Sequence, residues 1–360
     1  MTYRHSSPRT ARAALTVTLA VAVLAMVAFV GGAAAQTAKE FYMGRTITLL
    51  VPDSPGGIDD LSARLVSRHL GGFIAGHPAI EVTYVTDGGG IGLANSLAAS
   101  APRDGSVIAV IQRSVPQLAI QGSPEAKFDP LAFTWLGSLS SFGDDAYMVL
   151  VNADFPVKTA DDLKRLSTPA RFGSVGTSST NYTIAAVARE TLGYKLTIDT
   201  QYSGAAKIFQ AMRDGELDGQ VVSLNSIRAN QPAMWEGGKV RPLVQFGRVT
   251  RNPLLPDVPT GRELTTDPKA LEVIAFAETP FLMYLPFLAP PGLPADRAAA
   301  LQDGFAKMMG DPAFLADAKS IKLDISPVSG EAVRGLIADA AATPKDVIAE
   351  YKKMVAADKK

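Results

Sequence analysis

The sequence predicts an α/β protein of two lobes joined by a hinge, and three observations carry that expectation. The 360 residues are 47% hydrophobic and 19% charged, an ordinary globular profile, and the length favours two domains over one. Apolar, β-rich runs alternate with helical spacings over residues 47–111 and again over roughly 140–260. Such a βαβαβ rhythm builds a mostly parallel sheet with helices on both faces. The remainder is punctuated by proline and then helical, so the chain is expected to cross to a second lobe and return, leaving a cleft between the two. The expected division is a signal peptide at 1–35, the first part of lobe 1 at 36–139, lobe 2 at 140–262, and a return to lobe 1 with C-terminal helices at 263–360.

Taken in order, Ile47–Val51 reads as a strand and Asp59–Leu70 as a helix. Leu61, Leu65 and Leu70 lie near one face of that helix, and Gly71 and Gly72 stop it. Ile80–Val85 and Val107–Ile111 read as strands around a helix at Ile91–Ser100. Phe133–Ser138 and Tyr147–Val151 follow as strands, then a short helix at Asp161–Leu166. The second unit continues with strands at Arg171–Val175, Leu196–Tyr202, Leu217–Leu224 and Val240–Phe246. Its helices run from Thr183 to Leu192 and from Ala205 to Arg213. Four more helices are expected at Ala295–Met309, Ala313–Ser320, Glu331–Ala341 and Lys345–Ala356.

At the N-terminus, Arg4, Arg9 and Arg12 precede an apolar run of 18 residues (13–30) interrupted only by Thr16 and Thr18, and Ala33-Ala34-Ala35 follows. A basic segment, an apolar segment and a small-residue cleavage site make a secretory signal peptide, with an uncleaved anchor as the alternative. Removing residues 1–35 takes three arginines and no acid, leaving 32 basic against 35 acidic side chains, a net charge of −3. No basic stripe or tail suggests nucleic acid. The absence of cysteine excludes disulfides, zinc thiolates, a thiol nucleophile and a lipoprotein anchor.

The stretch VPDSPGGIDD, Val51 to Asp60, sets two prolines and two glycines between a strand and a helix. In open parallel sheets, ligands sit beyond the carboxyl ends of strands. A glycine turn lets the backbone approach closely, and the start of the next helix offers unpaired N–H groups to an anion. The plain alternative is a tight turn with Asp59 or Asp60 as a helix cap. FGSVGTSSTNY, Phe172 to Tyr182, and QYSGAA, Gln201 to Ala206, repeat the same form. Three such turns in two lobes suggest a cleft walled by helix N-termini.

On these and four further segments the chain resembles the periplasmic solute-binding proteins of the tripartite tricarboxylate transporter family, also called the Bordetella uptake gene family. The resemblance runs from about Phe41 to the C-terminus. It rests on VPDSPGGIDDLSAR, GGGIGLANSLAASAPRDG, FDPLAFTWLG, GSVGTSST, the run from Tyr202 through Gly204, Ala206 and Gly215 to Asp218, RNPLLPDVPT, and APPGLP with GDPAF. It implies a type II periplasmic binding protein architecture and a ligand, mostly a small carboxylate, held between the lobes by the P-G-G turn of one and the Ser/Thr-rich turn of the other. It also implies a monomer that delivers its ligand to a membrane permease. The expected ligand-binding residues are Ser54, Pro55, Gly56, Gly57 and Asp60, then Gly176, Thr177, Ser178, Ser179, Thr180 and Asn181, then Tyr202, Gly204 and Ala205.

The chain departs from the family pattern where charge matters. Asp53 stands where an aromatic or aliphatic residue is usual, Asp59 where a neutral residue is usual, and VTDGGG replaces N-R-P-G-A-G-G, losing an arginine and gaining Asp87. Tyr182 replaces a common histidine. Asp53, Asp59 and Tyr182 are therefore candidates for setting specificity. A desolvated carboxylate beside a bound anion is costly, so either these acids point away or the ligand is not a simple dicarboxylate.

Nothing suggests an enzyme. His69 and His77 have no metal-ligand spacing, no G-x-S-x-G elbow or G-K-[ST] occurs, and GGGIG lacks the third glycine of a dinucleotide fingerprint. Neither cofactor nor metal is expected. A clamshell sensor that reports to a membrane partner is the alternative, and an exported hydrolase a remote one.

Overall fold

The computed structural model describes residues 1–2, 36–52, 54–86, 89–177 and 179–356. The expected signal peptide therefore falls outside the described residues, apart from 1–2. Helix α1 (Ala38–Tyr42) leads into β1 (Thr46–Val51), α2 (Ile58–His69), β2 (Ala79–Tyr84), α3 (Gly89–Ala99), β3 (Val107–Val110), α4 (Val115–Ile120) and β4 (Thr134–Ser138). Then come β5 (Tyr147–Asn152), α5 (Asp162–Arg165), β6 (Ala170–Gly173), α6 (Thr180–Leu192), β7 (Leu196–Asp199), α7 (Ala205–Arg213), β8 (Gly219–Ser223), α8 (Leu224–Asn230), α9 (Pro232–Glu236) and β9 (Val240–Phe246). The last part holds α10 (Pro268–Glu278), β10 (Pro286–Ala289), α11 (Ala295–Met309), α12 (Pro312–Ser320), β11 (Val328–Ser329), α13 (Gly330–Ala341) and α14 (Lys345–Ala356).

These elements form two sheets, one per lobe. The first has six strands in the order β11-β4-β10-β3-β1-β2, the second five in the order β7-β6-β8-β5-β9. Each joins three parallel strands (β2-β1-β3 and β7-β6-β8) to antiparallel partners. Parallel strands need crossover helices, which is why apolar runs and helical spacings alternate in the sequence. Ile47, Leu49 and Val51 of β1 are fully buried, and so are Met148, Val149, Leu150 and Val151 of β5. Trp135 is a core side chain, with its indole N–H donating to the Pro130 carbonyl at 2.9 Å.

The expected return to lobe 1 at residue 263 comes later in the chain. Val273, Ile274 and Phe276 of α10 and Val347 and Tyr351 of α14 pack into the core beneath the second sheet. The Phe276 and Tyr351 rings meet edge to face with centroids 5.1 Å apart. The chain rejoins the first sheet only at β10.

Among the described residues the chain crosses between the lobes at 139–146, at 279–285 and again between α13 and α14, and the first two segments lie side by side. Leu139 N–H donates to the Leu285 carbonyl at 3.1 Å, Tyr284 N–H to the Ser140 carbonyl at 2.8 Å, and Leu285 N–H to Ser138 Oγ at 3.0 Å. Phe142, Tyr147, Phe281 and Tyr284 close over this pair, with ring centroids 5.1–5.6 Å apart.

Two buried polar side chains fix the loops that frame the cleft. Asp60, 0% exposed, accepts from Gly56 N–H at 2.7 Å and from the Tyr84 hydroxyl at 2.6 Å, and it pairs with Arg64 one turn on. It thereby ties the β1–α2 turn to β2. Burial alone raises its carboxyl, but the hydrogen bonds from Tyr84, Gly56 and Arg64 outweigh burial and hold it below the usual carboxylate range. In the other lobe, buried Gln245 accepts from Asn252 N–H at 2.7 Å and donates to the carbonyls of Leu255 and Val258. The RNPLLPDVPT segment is thus folded around one amide.

A carboxylate depressed in the folded state adds stability that is fully present above its unfolded value near 3.9 and disappears as pH falls through the folded value. Asp60→Asn is therefore expected to cost about 1–3 kcal/mol at neutral pH, with the gap to wild type narrowing below about pH 4 in urea denaturation. A gap that stays constant into acid contradicts the assigned role. Gln245→Leu leaves one N–H and two carbonyls without their partner and is expected to cost about 2–4 kcal/mol in the same measurement. A cost below about 0.5 kcal/mol, the scale of neutral surface changes, contradicts it.

Candidate functional site

Strands β1 and β3 of the first sheet and β6 of the second deliver their carboxyl ends, and the connections that follow, to the gap between the lobes. A cavity of about 550 Å³ lies there. The first lobe lines it with Ile58 and Asp59 at the start of α2, with Gln112, Arg113 and Ser114 between β3 and α4, and with Gln117 and Leu118 of α4. The second lobe supplies Thr177 and, on α6, Thr180, Thr183 and Ile184. The crossing segment supplies Pro280, Phe281, Tyr284 and Leu285, and α14 supplies Tyr351 and Val355. Helix α2 starts from Gly57 in an extended conformation, with no side-chain cap on its first amides.

Of the first expected turn, Asp59 reaches the cavity wall, while Ser54, Pro55, Gly56 and Gly57 do not line it. The Gly56 amide is taken by Asp60, which ties the turn instead of facing the gap. Asp59 is 3% exposed, so it does not point away into solvent. Asp53 and Ser178 lie outside the described residues, as does Asp87.

Of the second turn, Thr177 and Thr180 line the cavity, and Gly176, Ser179 and Asn181 hold the loop. Ser179 Oγ donates to the Gly176 carbonyl at 2.6 Å and caps α6 by accepting from Tyr182 N–H at 3.4 Å. Asn181 Oδ1 accepts from Ser174 Oγ at 3.0 Å. Tyr182, a candidate for specificity, is fully buried. It sits one turn before Ala185 and Ala186 on the buried face of α6, so the register of the helix turns it into the lobe. The third turn stays apart: Tyr202 and Ala205 pack against the core beside α7, and neither they nor Gly204 line the cavity.

Arg113 is the site residue that sequence reasoning missed. Its guanidinium lies 4.3 Å from the Tyr284 ring centroid and 4.9 Å from that of Phe281. It also donates across the gap to Thr180 Oγ1 at 3.3 Å. A second bond between the lobes runs from Gln117 Nε2 to the Phe276 carbonyl at 2.6 Å. Burial raises the Tyr147 hydroxyl above its ordinary value, and neighbouring Arg113 opposes that rise. The available signal was position: β3 is parallel to β1 and adjacent to it, so the residues after β3 share an edge with the P-G-G turn.

A larger, more open groove of about 770 Å³ runs beside the crossing segments, between Asp144, Asn225, Arg228 and Leu254 on one side and Leu315, Lys319, Lys322 and Asp324 on the other. None of the expected ligand-binding turns reaches it. The smaller cavity is the candidate site because the strand ends of both sheets open into it. Among the described residues, no group of three or more histidine, aspartate or glutamate side chains is placed to hold a metal ion.

Known proteins match this arrangement. The chain aligns at 21% identity with a TctC solute binding protein from Polaromonas, over 86% of this chain and 99% of that one, with a TM-score of 0.66. It aligns with the periplasmic binding protein BugD at 19% identity, over 87% and 98% of the two chains, TM-score 0.53. MatC from Rhodopseudomonas palustris, solved with bound malate, aligns at 22% identity over 87% and 99%, TM-score 0.51. These likenesses show a shared two-lobed fold. A curated relative from Agrobacterium vitis, the UPF0065 protein in the TAR-I ttuE-ttuC' intergenic region, is 27% identical over 188 residues, 50% of this chain and 51% of that protein. The chain thus spans about half the length of the curated relative it matches. The sequence profile described as "TctC: Tripartite tricarboxylate transporter family receptor" matches residues 76–352, and the chain belongs to that family of receptors.

Proposed function

We propose that this chain is a periplasmic receptor that captures a small, carboxylate-bearing solute between its lobes and hands it to a tripartite tricarboxylate-type membrane transporter. The observation that carries this reading is the cavity between the lobes, where helix-start residues of both sheets meet. Family membership supports the receptor role and a permease as partner, and the apolar N-terminal segment 13–30 fits export. Among the described residues, no helix is long and apolar enough to cross a membrane.

The donors present are adequate to the task. Hydrogen bonds to a charged group contribute about 1.5–3 kcal/mol each, and micromolar binding needs about 8 kcal/mol. Four or five such bonds, less the cost of association, reach that range. Thr177, Thr180, Arg113 and Ser114 line the cavity and can supply them without any catalytic group. Ligand capture is the whole task, and the protein is expected to act as a monomer.

The test is a thermal-shift screen of the chain against mono-, di- and tricarboxylates, followed by calorimetry of the hits. A specific ligand raises the unfolding midpoint progressively with its concentration over Kd. Ile58 is 43% exposed at the cavity wall. Ile58→Trp is therefore expected to weaken binding roughly tenfold or more, about 1.4 kcal/mol, with an unchanged midpoint in the absence of ligand. Saturable binding to no carboxylate, or an Ile58→Trp protein with wild-type affinity, overturns the reading.

A further inference from the structure

Resting on that receptor reading, we infer that Arg113 is the counter-charge for one ligand carboxylate and that the site selects an amphipathic monocarboxylate, an acid with an apolar body, over a short dicarboxylate.

Three observations converge. First, Asp59 and Arg113 are the charged side chains among the described residues lining the cavity, and no carboxylate among the described residues forms an ion pair with Arg113. Its face is covered by Tyr284 and Phe281, so its N–H donors lie in the guanidinium plane, where the Tyr147 hydroxyl is one neighbour. The Thr180 hydroxyl accepts from one terminal nitrogen. The fork geometry suits a carboxylate bound through two parallel hydrogen bonds.

Second, a second ligand carboxylate would find no other cationic side chain among the described lining residues, an arrangement that leaves half of a desolvated dianion uncompensated. Third, beside its hydroxyl and amide groups the wall carries an apolar part formed by Ile58, Leu118, Ile184, Pro280, Leu285 and Val355. The volume of about 550 Å³ falls in the range of sites for ligands well beyond four carbons. Burying an apolar body there gains free energy in proportion to area, which a short dicarboxylate cannot supply.

The inference is tested by calorimetry with octanoate, phenylacetate, their neutral amides and succinate, on the full chain and on Arg113→Gln and Arg113→Lys. Wild type is expected to bind at least one of the two monocarboxylates roughly tenfold or more tighter than both its amide and succinate, a gap of about 1.4 kcal/mol or more. Arg113→Gln is expected to lose that margin for the acid while binding the amide as wild type does, which shows the cavity intact. Arg113→Lys, which keeps the charge and loses the fork, is expected to fall between them. Succinate bound more tightly than either monocarboxylate, or acid affinity indifferent to Arg113→Gln, overturns this inference and leaves the receptor reading standing. Binding of no carboxylate by wild type, in this set or in the wider screen, overturns both. If Arg113→Gln does not fold, the wild-type comparison of acid, amide and succinate decides alone.

Discussion

The geometry of the whole molecule hangs on the paired crossing segments. The strands of the two sheets are joined through 139–146 and 279–285, and the chain crosses once more between α13 and α14; three hydrogen bonds between Ser138, Leu139 and Ser140 on one side and Tyr284 and Leu285 on the other bind the first two crossings into a two-stranded strap. Two separate linkers would let the lobes twist independently. A hydrogen-bonded pair, roofed by Phe142, Tyr147, Phe281 and Tyr284, confines their relative motion and keeps the two sets of helix starts facing each other. Phe281 and Tyr284 are also cavity wall, so the element that joins the lobes touches the space they enclose.

With the lobes held this way, the same strand-end rule operates from both sides with different chemistry. In the first lobe Asp60 draws the glycine turn inward and occupies the Gly56 amide, which leaves the start of α2 and the β3–α4 connection to face the cavity. In the second lobe, Ser174, Ser179 and Asn181 bond among themselves, so the intervening threonines project. The polar residues of a binding loop thus divide into those that hold the loop and those that look out from it. Composition alone does not sort them, because serine and asparagine cap helices as readily as they meet ligands.

This division also sets what could be read in advance. Elements with a strong period were legible: α7, β9, α11 and α14 have the limits expected of them. Strand β10 was not, since Pro286, Pro290 and Pro291 crowd it and proline argues against a central strand. The structure tolerates Pro286 because it is the first residue of the strand and offers only its carbonyl, to Ile111 N–H. Helix α10 carried a readable start, Asp267 as cap and Pro268 in the first turn, masked by the prolines around it. At the site, Thr177 and Thr180 were legible as helix-start polar residues. Arg113 was not, because its meaning depends on rings about 170 positions away in sequence, and the burial of Tyr182 depends on helix register.

A cation among the hydroxyl and amide side chains of the cavity changes the energetics of capture. Main-chain donors stabilise an anion with partial charges and accept most small carboxylates similarly, so selectivity must come from shape. A guanidinium adds a full charge but ordinarily loses hydration when the ligand arrives, which cancels part of the gain. Here the aromatic faces of Tyr284 and Phe281 cover Arg113, so part of that desolvation is met during folding and offset by cation–π attraction of about 0.5–2 kcal/mol. The bond to Thr180 restricts the guanidinium further, which lowers the ordering cost of binding. Because Thr180 belongs to the opposite lobe, a carboxylate that takes its place between the two residues replaces a direct contact with a bridged one. If Arg113 is the ligand's counter-charge, the group that selects the ligand is then also a contact that holds the lobes around it.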